Sequence, residues 1–162
     1  MTTRLPFLRL AGVLALAASA FPSALRAQDA KAEVMTVVKR LFDGMRSGDS
    51  AMVRSVFHPE LRMITATMRD GKPVTRIETS ADGFVKAVGT PRPEPLDERI
   101  WGEKVEIDGP LASVWVDYAL YIGKRFLHCG IDHFLLVKND AGEWKVIALA
   151  DTRRTEGCKG EQ

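Results

Sequence analysis

Apolar and polar residues alternate most clearly between Glu98 and Arg154. Runs rich in Val, Ile, Leu, Trp and Tyr are separated there by three short reversals: Asp108-Gly109-Pro110, Gly123-Lys124-Arg125 and Asn139-Asp140-Ala141-Gly142. Tight loops between alternating segments predict four consecutive antiparallel strands. Upstream the period lengthens. Val34, Val37, Val38, Leu41, Phe42 and Met45 recur at three- and four-residue spacings, which predicts a helix over Asp29 to Arg46 with one apolar stripe. Gly48 is its stop, Asp49 or Ser50 caps a short helix from Ala51 to Phe57, and Pro59 ends that one. His58 falls at the junction, where a loop histidine is the plain reading. Leu61 to Met68 and Val74 to Thr79 read as strands joined at Asp70-Gly71, and Ser80 caps a third helix, Ala81 to Val88. The proline-rich Thr90 to Pro95 reads as a loop into the main sheet.

The predicted order is two helices, two strands, a helix and four strands. Strands grouped after helices, without strict β-α alternation, indicate an α+β domain. Its three helices lie in the N-terminal half and cover one face of a curved, mixed or antiparallel sheet, leaving a cone with a pocket between the layers. A tight turn at Gly123-Lys124 sets Tyr118 opposite Cys129 and Val114 opposite His133. A reversal at residues 139–142 sets His133 opposite Ala148. Alternation then puts Val114, Val116, Tyr118, Cys129, Ile131, His133, Leu135, Trp144, Val146, Ala148 and Ala150 on the core face. The other face carries Trp115, Asp117, Tyr121, His128, Asp132, Phe134, Leu149 and Asp151, a mixture that suits a dimer surface better than open water. A single β-bulge would exchange the faces locally.

The amino terminus does not fit this pattern. Arg4 and Arg9 precede an apolar run of 11 residues, Leu10 to Ala20, followed by small residues, a proline and Ala27. That is the layout of a secretory signal peptide over residues 1–27. Spanning a membrane takes about 20 apolar residues. Cleavage after Ala27 places the helical pattern at the new terminus, while cleavage after Ala20 puts the smaller Ala18 at the preferred upstream position. The expected mature chain, residues 28–162, is one domain in the periplasm or outside the cell. Loss of Arg4, Arg9 and Arg26 takes the 23 basic residues to 20 against 21 acidic ones, so the formal charge moves from +2 to −1. Without a basic stripe there is no electrostatic footprint for nucleic acid.

The element order and the ending GEWKVIALADTRR resemble the nuclear transport factor 2-like superfamily, which includes ketosteroid isomerase, scytalone dehydratase and the SnoaL-like polyketide cyclases. More narrowly, HCGIDHF at His128 to Phe134 and DTRRTEGC at Asp151 to Cys158 resemble a bacterial, often exported, lumazine-binding branch. The resemblance covers residues 30–158 and implies the cone fold. It does not fix a function, because members range from isomerases to carriers.

Candidate chemistry follows from the residues themselves. His128, Cys129, Asp132 and His133 are rich in ligating types, yet Cys129 and His133 stand about 13 Å apart on a strand at ~3.3 Å per residue. Zinc donors sit about 2.0–2.3 Å from one ion, so no metal is expected. Nor does any motif imply a cofactor. Cys129 and Cys158 are the only cysteines, and export favours a disulfide between them over a buried free thiol. His133 and Tyr118 on the core face, with Trp101 or Glu103 nearby and Asp132 as a looser candidate, are the groups available for acid–base work. Asp151, Arg153 and Arg154 form a compact charged group at the end of the last strand. Either Asp151 pairs with an arginine to pin the tail, or Arg153 or Arg154 clamps an anionic ligand. The reading that results is an exported accessory domain holding a small, largely apolar ligand at Trp101, Tyr118, Asp132, His133, Asp151 and Arg153. Two alternatives stand beside it: a cofactor-free isomerase or dehydratase, and a dimeric module whose cone is plugged by Trp101, Trp144 and Phe42. A homodimer through the outer sheet face is expected under all three.

Overall fold

Nine elements make up residues 21–160, the part of the chain that a computed structural model describes, with side chains from residue 27. The expected leader lies largely outside the described residues. Helix α1 (Phe21–Ser47) starts eight residues ahead of Asp29, through a stretch of good helix formers, Ala24, Leu25, Ala27 and Gln28. Its stripe of Val34, Val38, Leu41, Phe42 and Met45 is almost fully buried. Gly48 ends it in a left-handed conformation (φ 68°). Asp49 then accepts the Met52 N–H at 2.8 Å and caps α2 (Ser50–Ser55). The chain turns directly into β1 (Phe57–Arg69), so His58 lies in a strand. A turn with positive φ at both Asp70 and Gly71 leads to β2 (Lys72–Glu78). Helix α3 (Asp82–Gly89) follows; Ser80 accepts the Asp82 N–H one turn before it and Ala81 stands at the cap position.

The four strands expected in series are β3 (Leu96–Asp108), β4 (Leu111–Ile122), β5 (Arg125–Lys138) and β6 (Trp144–Arg153), each antiparallel to the next. β1 adds to β6 in parallel, giving one six-stranded mixed sheet in the order β2-β1-β6-β5-β4-β3. Phe42 meets Phe134 edge to face, with centroids 6.0 Å apart, at the centre of the contact between α1 and the sheet. Arg46 fastens the end of α1 to Asp97 of β3 at 2.8 Å. Val114, Val116, Phe134, Leu136 and Val146 are fully buried beneath α1, each contributing about 1.5–3 kcal/mol to folding.

Bulges correct the expected faces. Pairing passes from Tyr121↔Phe126 to Leu120↔His128, which leaves Leu127 unpaired and turns the rest of β5 over. Tyr118 therefore faces Gly130, Val116 faces Asp132 and Val114 faces Phe134. Cys129, Ile131, His133 and Leu135, expected in the core, lie on the outer face. His128, Asp132, Phe134 and Leu136 take their place. The turn into β6 is one residue longer than expected, pairing Lys138 with Trp144, and a bulge at Ile147 shifts β6 in turn. Trp144 and Val146 stay inward, but Leu149 and Asp151 replace Ala148 and Ala150 on the inner face. In β3, Gly102 (φ 66°) and Glu103 together oppose Val116, a glycine bulge that puts Trp101 opposite Asp117 on the outer face. No helix among the described residues is long and apolar enough to cross a membrane.

Candidate functional site

Three strands place an acid on the inner face where alternation calls for an apolar residue. In β3 it is Glu98, between Leu96 and Ile100; in β5 it is Asp132, before Phe134 and Leu136; in β6 it is Asp151, after Leu149. They converge on a cavity of about 210 Å³ between the helices and the sheet. Leu41, Phe42 and Met45 of α1 and Phe84 of α3 form one wall, and Met63, Leu96, Leu120 and Leu149 form the sheet side. The polar end consists of Glu98, Tyr118, His128, Asp132, Asp151 and Arg153.

Glu98 is 9 % exposed and Asp132 4 %, and neither forms a salt bridge with a Lys or Arg among the described residues. Instead the two carboxyl groups hydrogen-bond to each other. Two ionised carboxylates in a dry site repel, so the pair retains a proton. Burial, followed by the Glu98 charge, holds Asp132 well above the usual carboxylate range. Burial also pushes Glu98 up to about 7, with the Asp132 hydrogen bond opposing it. Asp132 is thus the donor and Glu98 the acceptor.

The other polar groups are tied to the protein. Tyr118 donates its hydroxyl proton to the Thr152 carbonyl at 2.9 Å. That hydroxyl lies 3.0 Å from His128 Nδ1, so with its one proton already placed it accepts from Nδ1–H, and Nε2 is left as the basic nitrogen. Burial, then the nearby Arg153 charge, lowers the His128 pKa and keeps the ring neutral. Asp151 pairs with Arg153 at 2.5 Å and accepts the Thr65 hydroxyl at 2.6 Å. The arrangement depends on Gly130: a Cβ there would stand 1.8 Å from Thr152 O and 2.8 Å from Tyr118 Cε1. β6 can close on Tyr118 only because β5 carries no side chain at that point.

Of the expected site residues, Tyr118, Asp132, Asp151 and Arg153 meet at this cavity. Trp101 and His133 lie on the opposite face, where His133 Nε2 is 2.9 Å from Ser113 Oγ and its ring stacks obliquely near Trp115. Trp144 is buried but is not part of the cavity lining, so Trp101, Trp144 and Phe42 do not plug the cone. Arg154 pairs its backbone with Cys129, outside the cavity. Glu98 and His128 take the places that sequence reasoning gave to Glu103 and His133. The readable signal for Glu98 was an acid between two apolar residues of one strand face. Cys129, buried on the outer face, is bonded to Cys158, and Lys159 just beyond pairs with Asp117 at 3.0 Å.

Several known proteins share this architecture. A protein of unknown function from Shewanella baltica is 18% identical with a TM-score of 0.62, covering 80% of this chain and 97% of that one. A second, from Mycobacterium tuberculosis, is 14% identical with a TM-score of 0.66, covering 83% and 78%. A third, described as a putative ketosteroid isomerase from Shewanella frigidimarina, is 18% identical with a TM-score of 0.53, covering 72% and 91%. At such identities the likeness speaks to fold alone. No curated protein matches. The family model described as "Putative lumazine-binding" matches residues 29–150, well over half of the chain. The chain therefore belongs to that family, and it shares its fold with nuclear transport factor 2-like proteins.

Proposed function

We propose that this protein holds a small, largely apolar molecule in the cone, with one polar group of the ligand seated at the Glu98–Asp132 end. The observation that carries this reading is the cavity of about 210 Å³, apolar along both walls and polar at one end. Binding sites are commonly concave, mostly apolar and equipped with a few convergent polar groups. Family membership supports a small-molecule ligand. The amino-terminal pattern and the Cys129–Cys158 bridge support residence in an oxidising, extracytoplasmic compartment. The apolar outer sheet face supports a homodimer. The test is native mass spectrometry of protein isolated from its own host without denaturation. One homogeneous added mass per protomer is expected, and it should disappear when Phe84→Asp puts a charge into the wall. An added mass that survives this change would place the ligand elsewhere.

A second reading, cofactor-free proton transfer, is favoured by the buried carboxyl pair beside Tyr118. A base tuned to about 7 is matched to neutral pH. On this reading Glu98 removes a carbon-bound proton and Asp132 returns one. Deuterium exchange into small ketones, followed by NMR, would reveal it, and Glu98→Gln should abolish the exchange. Unchanged exchange in that variant would exclude Glu98 as the base.

A further inference from the structure

Taking the cone as a ligand site, we propose that its occupant is a small primary ammonium carried on a compact apolar body, with the ammonium group on Glu98, Asp132 and His128. The argument is an inventory of donors and acceptors. The Tyr118 proton is on Thr152 O. The Nδ1 proton of His128 is on the Tyr118 hydroxyl. Arg153 Nε is on Asp151, its Nη2 lies against Thr65 and Asp151, and the Thr65 hydroxyl is itself on Asp151. The one proton of the carboxyl pair lies between Asp132 and Glu98. Apart from the Nη1 amino group of Arg153, the donors at the polar end are therefore engaged within the protein. What remains on the other lining residues is a set of acceptors: the Glu98 carboxylate, the unused lone pairs of Asp132 and Nε2 of His128, which makes no hydrogen bond among the described residues. An end so rich in acceptors fits a donor, and an ammonium brings three.

Charge points the same way. Asp151 is neutralised by Arg153 and His128 is uncharged, so the charge at the end of the cavity is that of the Glu98–Asp132 pair, one negative charge once Glu98 has lost its proton. A buried charge is ordinarily matched by a partner, and among the described residues no Lys or Arg forms a salt bridge with this pair. On α1, Lys39, Asp43 and Arg46 border the groove outside Glu98, but Arg46 is held by Asp43 and Asp97. The rings of Phe42 and Phe84 line the same cavity and suit a cation. A cavity of about 210 Å³ compares with the ~150 Å³ that accommodates benzene, so the body is about one ring in size. The same inventory leaves only Nη1 of Arg153 to donate to a ligand carbonyl or oxyanion.

Titration calorimetry and ligand-observed NMR on the intact, oxidised protein would test this with benzylamine, benzyl alcohol, acetophenone and benzoate, four probes of similar shape. Benzylamine is expected to bind at least tenfold more tightly than the alcohol. Glu98→Gln is expected to erase that preference in a protein that still unfolds cooperatively. Tightest binding by the alcohol or the ketone would keep the cone as a ligand site and overturn the ammonium. Tightest binding by benzoate would do the same and make Arg153 the anchor. Failure of all four probes to bind would overturn the cone reading itself, and the ammonium with it.

Discussion

Glu98 and Asp132 hold one proton between them in a place where water cannot screen their repulsion, and this ties stability to pH. Glu98 has its ordinary pKa near 4.5 and is raised to about 7 in the fold. A raised acid binds more protons when folded than when unfolded, so it stabilises the fold at low pH and loses that contribution as pH rises through the folded value. Between pH 5 and 8 the loss amounts to about 3 kcal/mol at ~1.4 kcal/mol per unit. Thermal unfolding of the native protein is expected to show stability falling across this window, and Glu98→Gln to flatten the fall and unfold at a higher temperature at pH 8. A variant that still tracks the native pH profile would place the titration on another group. These residues also show how far the sequence could be read. Asp151 and Arg153 stood out as a charged group at a strand end, and Tyr118 was placed correctly by alternation. Glu98 was overlooked because its neighbours Asp97 and Arg99 are charged as well, which hides a single inward acid inside a polar run. His128 and His133 exchanged roles because one residue of register separates the two faces of a strand.

At the scale of elements, what was legible was local. Helix stripes, the Asp70-Gly71 turn and the four-strand series are written in short-range spacing, and the structure has all of them. The bulges at Leu127, Ile147 and Gly102 are not written there, because each is selected by how neighbouring strands close on one another. Parallel addition of β1 to β6 is likewise a long-range choice. Gly130 is the residue on which the site end of β5 and β6 depends. Gly130→Ala would drive a methyl group into Thr152 O and Tyr118, and overpacking of rigid backbone costs about 3 kcal/mol. Chemical denaturation is expected to show that loss together with weakened ligand binding. Gly83→Ala in α3 is the control. Its Cβ meets only Glu78 Oε2 at 3.8 Å, and replacing this first-turn glycine without strain should add about 0.4–1 kcal/mol. Equal effects from the two alanines would mean that Thr152 moves away freely, contrary to its hydrogen bonds with Tyr118 and the Ile131 N–H.

For the whole molecule, the disulfide and the outer face act on the same side of the sheet. Cys129–Cys158 closes a loop with a sequence separation of 29 and brings the tail back over β5, where Lys159 pairs with the buried Asp117. Loop-closure entropy makes the bridge worth roughly 3–4 kcal/mol. Cys158→Ser is therefore expected to lower stability by that amount under non-reducing conditions, and reductant to have no further effect on the variant. Of the large exposed apolar residues, Met68, Ile77, Leu111, Trp115 and Phe126 lie, by register, on this outer face, and Val74 on the other. Between them are the half-buried Ile131, Leu135 and Ile147. A monomer seldom leaves so large a patch to water, and a two-fold contact would cover it with its own copy, each Trp115 meeting the partner's sheet. Sedimentation velocity of the native protein should give a dimer at micromolar concentration. Trp115→Glu, which sets a charge at 44 % exposure in the middle of this face, should give a folded monomer with unchanged ligand affinity. A native monomer would leave the patch for a different partner. A dimer indifferent to Trp115→Glu would move the contact to another surface.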